Sequence, residues 1–120
     1  MARPCKNRRI CAYPKVLGFT PFGDYAETVN LSIDEYEAFR LIDKMDYNQQ
    51  ECAKHMGVAR STVAAIYESA RSKIADAVVY GKAINISGGD VFVCEYNSLC
   101  YGNGSKANCP ILKNIENDKI

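Results

Sequence analysis

The chain has 120 residues, 48% of them apolar and 24% charged. That is an ordinary globular composition, enough for one core and too little for a large multi-step enzyme. Fifteen Lys and Arg against fourteen Asp and Glu leave a formal net charge of +1, which names no partner by itself. No apolar run is long enough to span a membrane. The basic N-terminus is followed by no apolar stretch of the kind a secretory signal needs, so a cytoplasmic protein with reduced thiols is expected.

Residues 1–30 hold Pro4, Pro14, Pro21, Gly18 and Gly23, a composition that favours extended chain and turns over helix. Its first 19 residues carry Arg3, Lys6, Arg8, Arg9 and Lys15 with no acid. This reads as an extended basic arm. Beside a DNA-binding domain such an arm can reach a minor groove, where Arg meets the strongest negative potential.

Residues 31–82 read as helices. Leu31 to Asp43 is the first, with Ser32 as N-cap and Glu35 three residues on to complete a capping box. Its Asp34, Glu35 and Glu37 suit the positive end of the helix dipole and would form an acidic face. Asn48 caps a second helix, Gln49 to Met56, which Gly57 ends. Arg60 to about Tyr80 is a third, long helix with Val63, Ile66, Ala70, Ile74, Ala77 and Val78 at steps of three and four; Gly81 ends it.

Between Gln49 and Glu68 the pattern is that of a helix-turn-helix. Ala53 is small where the helices cross, Gly57 tolerates the turn, and Cys52, Met56, Val58, Val63 and Ile66 lock the pair. In that reading the third helix is a recognition helix presenting Arg60, Ser61, Thr62, Ala64, Ala65 and Glu68 to a major groove. Arg60 has the fork to read guanine, and Ala64 or Ala65 the methyl to touch thymine. Asn48, Gln49, Gln50, Lys54, Arg71 and Lys73 are placed for phosphates. Ala59 stands where a capping Ser would serve better.

From residue 83 the period becomes two. Ala83–Ser87 and Asp90–Val93 flank Gly88-Gly89, which predicts a β-hairpin over 83–93. Residues 94–120 form a polar, Cys-containing loop and tail. The expected fold is therefore mainly α: a three-helix core with an N-terminal arm and a C-terminal hairpin.

The stretch from LSIDEYEAFRLID to ESARSKIADAV resembles region four of bacterial sigma factors. More closely, the ARP-K-RRI start, the prolines from Pro14 to Pro21, DEYEAFRL, the helix pair and GKAINISGGD resemble the prokaryotic family called domain of unknown function 134. This second resemblance covers about residues 2–90 and implies DNA binding without naming a target.

Cys94, Cys100 and Cys109 stand in a C-x5-C-x8-C arrangement. The spacing is not the paired one of a zinc ribbon; it resembles the three-cysteine loops of iron–sulfur-sensing winged-helix repressors. Zinc or an iron–sulfur cluster would need a fourth ligand, from Cys11, Cys5, His55 or a second subunit. Redox thiols or inert cysteines are the alternatives. Cys52 reads as a core residue, and His55 as a surface or boundary residue of its helix.

The expected function is a sequence-specific transcriptional regulator, acting as a homodimer on double-stranded DNA, with a cysteine-ligated sensing site. The alternative is an interaction module whose acidic face docks on RNA polymerase or a metallocofactor maturation factor. No nucleophile–base pair or phosphate-cradling loop can be assembled, so no enzyme is expected.

Overall fold

A computed structural model of the chain describes residues 7–96 and 109–112. The fold is mixed α/β, which corrects the expectation of a mainly α domain. Five short strands in two sheets frame the helices.

The correction begins in the N-terminal segment. From residue 7 on it is not a free arm but supplies β1 (Arg8–Ile10), β2 (Gly18–Phe19) and β3 (Thr28–Leu31). β4 (Ala83–Ile86) lies between β2 and β3, antiparallel to the first and parallel to the second. β5 (Val91–Val93) pairs in parallel with β1, placing Arg8 opposite Val91 and Ile10 opposite Val93. Parallel neighbours need a long crossover, and the helices provide the one between β3 and β4.

The predicted 83–93 hairpin does not form, because β4 and β5 belong to different sheets. Gly88 and Gly89 do turn the chain, both at positive φ, 85° and 97°. The turn serves a close approach to the first helix. The Gly88 carbonyl accepts from the Ile33 amide at 3.0 Å, and a side chain at Gly89 would meet Asp34 Oδ1 at 2.8 Å. Each flanking strand is then left to a partner from residues 8–31.

Helix α1 runs from Ile33 to Phe39, since Leu31 is taken by β3. Ser32 and Glu35 form the expected capping box. Where the sequence predicts continuous helix to Asp43, α1 widens into a π-helical turn, Arg40–Lys44. α2 spans Gln49–Met56, with Asn48 and Glu51 in a second capping box and Gly57 left-handed at its end. α3 spans Arg60–Tyr80 and closes on left-handed Gly81; Ala59 gives it no side-chain cap.

The main core gathers Leu41, Tyr47, Met56, Val63 and Ile66 with Cys11, Cys52, Cys94 and Cys109. A smaller cluster joins Leu31, Ala70 and Ile86, where α3 crosses the three-stranded sheet. The α3 stripe buries Val63, Ile66, Ala70 and Ala77 as its periodicity predicts, but Val78 is 74% exposed.

The acidic residues of α1 are a second correction. Asp34, Glu35 and Glu37 are buried, not an open face. Arg8 Nη1 lies 3.5 Å from Asp34, Lys73 Nζ 2.8 Å from Glu35, and Arg40 Nε 2.9 Å from Glu37. Each of the three buried acids thus has a basic partner, two of them drawn from distant parts of the sequence.

Candidate functional site

Two regions carry the residues singled out from sequence. The first is the outer face of α2 and α3. Their connection is three residues, 57–59, and Gly57 at φ 72° makes it possible. Arg60, Ser61, Ala65, Glu68 and Arg71 are exposed on α3, with Thr62 and Ala64 half-buried beside them. Asn48, Gln50 and Lys54 are exposed on α2 and Gln49 is half-buried. Gln49, Ala64, Tyr67, Glu68, Arg71 and Ser72 line a groove of about 430 Å³ between the helices.

Not every residue of that list is available to a partner. Lys73 is held inward, donating to the Asn30 carbonyl at 2.9 Å and to Glu35 at 2.8 Å. Asn48 spends its side chain on the Glu51 amide. Arg71 lies 3.7 Å from Asp43 and over the Tyr67 ring. Arg60 makes no ion pair among the described residues.

The basic arm divides. Arg3 and Lys6 lie outside the described residues. Arg8 and Arg9 are built into the fold. Arg9 donates to the His55 carbonyl at 2.9 Å and to Glu95 at 3.2 Å, with its guanidinium over Phe92. It therefore ties β1 to the end of α2.

The second region is buried behind that end. His55, on the last turn of α2, is 1% exposed, which corrects its reading as a surface residue. Its Nε2 lies 3.1 Å from Cys11 Sγ and 3.7 Å from Glu37 Oε2. Its Nδ1 lies 3.7 Å from Cys109 Sγ. The Cys11 amide donates to Glu37 Oε2 at 2.8 Å, and Arg40 grips the same carboxylate with two nitrogens. Tyr47 packs edge-on to the His55 ring.

The charges of this centre reinforce one another. Burial pushes the Glu37 carboxyl up, but hydrogen bonds from His55 and Arg40 overcome it and hold it at about 2. Burial pushes His55 down, yet its bonds to Cys109, Cys11 and Glu37 raise it to about 11. Burial also opposes ionisation of Cys109, but His55 and the Leu112 amide bring it down to about 7. Cys52 contrasts with it: burial lifts that thiol to about 12, and its Sγ faces Met56 Sδ as a core residue would.

The donor atoms of Cys11, Glu37 and His55 lie within 4.8 Å of one another, and the three residues could hold a metal ion. Cys11 belongs to the group; Cys109 sits on the far side of the His55 ring. Cys94 is buried next to β1, its amide donating to the Ile10 carbonyl at 2.7 Å. Cys100 and Cys5 lie outside the described residues. Glu37 and His55 were missed as buried residues from sequence, although helical spacing carried a signal for both. His55 follows Cys52 by three on the stripe that also buries Met56, and Glu37 precedes Leu41 by four.

A small α/β domain, with an exposed helix-pair face and a buried Cys–Glu–His centre, defines the class of this molecule. The chain belongs to the family described as "Protein of unknown function DUF134", which matches residues 1–94. It is 42% identical over 113 residues to the UPF0251 protein of Desulfitobacterium hafniense strain DSM 10664 / DCB-2, covering 91% of this chain and 86% of that one. To the Halothermothrix orenii UPF0251 protein it is 42% identical over 113 residues, covering 92% and 84%. To that of Clostridium novyi it is 50% identical over 104 residues, covering 82% and 71%. No solved structure matches it. Cys11, Glu37 and His55 all fall inside the matched 1–94.

Proposed function

We propose that the protein is a sequence-specific DNA-binding regulator in which α2 and α3 act as a helix-turn-helix, with α3 entering the major groove. The observation that carries this reading is the division of the helix pair into two faces. Its inner face is buried, while Arg60, Ser61, Ala65 and Glu68 of α3 and Lys54 of α2 are exposed to solvent. Arg60 has no internal ion pair to give up among the described residues, so binding a guanine edge costs it no existing contact.

The contact list is narrower than the sequence suggested. Arg8, Arg9 and Lys73 hold the fold together and Arg71 is shared with Asp43, so the phosphate contacts fall to Gln50 and Lys54, and Arg3 and Lys6 keep the minor-groove role that the sequence suggests. A homodimer fits the reading, because one small helix pair buries little DNA surface. Val78, Val79 and Tyr80, 69–74% exposed at the end of α3, offer apolar surface for it. A cysteine-ligated zinc ion or iron–sulfur cluster is the effector in this reading, shifting the population able to engage DNA. Among the described residues no helix is long and apolar enough to cross a membrane, and a cytoplasmic site of action accords with the proposal. Docking on RNA polymerase or a maturation factor has less support, since the acids that would carry it are buried.

Selection from a random duplex library tests the proposal. A recovered half-site motif, with preference at one base pair lost in Arg60→Ala, supports it. Sequences no different from the input library would contradict it.

A further inference from the structure

The buried centre holds more polar chemistry than a small core needs. A thiol, a carboxylate and an imidazole come from three elements: Cys11 follows β1, Glu37 lies on α1 and His55 on α2. The Cys11–His55 and Glu37–His55 donor separations are 3.1 and 3.7 Å, and the third stays within 4.8 Å. Ligands about 2.0–2.3 Å from a tetrahedral zinc ion stand about 3.5 Å apart. The two separations measured from His55 are close to that spacing, and the third needs at most a small side-chain adjustment to reach it.

We propose that Cys11 Sγ, Glu37 Oε2 and His55 Nε2 hold one divalent ion of the zinc class, with Cys109 as the positioning residue behind His55. The mix of sulfur, nitrogen and oxygen donors suits zinc or cobalt; iron–sulfur clusters are held by thiolates. The surroundings are those of a ligand shell. Cys109 Sγ faces Nδ1 at 3.7 Å, where it accepts the ring N–H and directs Nε2 to the ion. Arg40 and the Cys11 amide fix the Glu37 carboxylate. The ion would clip β1 and α1 to the end of α2, two residues before Gly57. The site stands whether or not the protein binds DNA.

The test is titration of the reduced, chelator-stripped full chain with Co²⁺ alone. One equivalent should bind, giving a near-ultraviolet thiolate–cobalt band and the visible absorption of tetrahedral cobalt, both displaced by Zn²⁺. Cys11→Ser should remove the near-ultraviolet band. Cys109→Ser should keep the band while weakening binding about 10–100-fold. Cys52→Ala should change neither. If Cys11→Ser does not fold, X-ray absorption of the zinc-loaded wild type replaces it: the ion should show one sulfur neighbour at about 2.3 Å beside nitrogen and oxygen neighbours at about 2.0–2.2 Å. Folded wild type that takes up no cobalt would overturn the proposal. So would a band that survives Cys11→Ser, a zinc ion with no sulfur neighbour, or a brown protein carrying iron and sulfide.

Discussion

Helix α2 has two sides with opposite chemistry. One turns Gln50 and Lys54 to solvent; the other sets Cys52, His55 and Met56 in the core. The outer side meets water and can be altered at little cost to folding. The inner side sets the His55 imidazole against the Glu37 carboxylate of α1, which Arg40 also grips, out of water, so removing that carboxylate strands the other two. Function and stability should therefore separate by helix face.

The largest effect is expected inside. Glu37→Gln keeps the shape of the side chain but leaves Arg40 and His55 without their anion, and should cost about 3–5 kcal/mol in urea unfolding. A loss under about 1 kcal/mol would mean that the centre is less tightly coupled than its distances indicate.

A smaller effect comes from the rim of the core. Burial pushes the Glu35 carboxyl up, but hydrogen bonds from Lys73, Ser69 and Ser32 bring it below its ordinary value. A carboxylate lowered on folding contributes stability above its unfolded value, and that contribution is lost as pH falls through the folded one. Thermal midpoints between about pH 6 and pH 3 should therefore fall less steeply in Glu35→Gln than in the wild type.

The smallest effect, and one of opposite sign, belongs to the outer side. Ala59 already has the extended backbone of an N-cap, φ −70° and ψ 152°, and is exposed. Ala59→Ser should stabilise α3 by about 1 kcal/mol. A destabilised variant would show that the turn lacks room for the hydroxyl.

The same two faces explain what could be read from sequence. α2 and α3 were legible almost to the residue, because capping boxes, terminal glycines and a 3.6-residue period are local signals. The strands were not. Each has two to four residues, and its partner lies far away along the chain. Gly88-Gly89 carries the local signature of a hairpin, and only the seat it takes against α1 shows otherwise. The arm's arginines look free until Asp34 and Glu95 are seen beside them. Cys11 could be suspected as a ligand, but Glu37 and His55 stand 26 and 44 residues from it, and no spacing rule joins them.

The most direct test of the outer face is fluorescence anisotropy of a labelled duplex carrying the selected motif, with wild type and Arg60→Ala compared at low and moderate salt. Wild-type affinity should fall steeply between about 50 and 200 mM salt. Arg60→Ala should lose about 1–3 kcal/mol of discrimination at one base pair while its folding stability stays within about 0.5 kcal/mol of wild type. No binding at low salt, or an Arg60→Ala protein indistinguishable from wild type, would contradict the proposed role of α3.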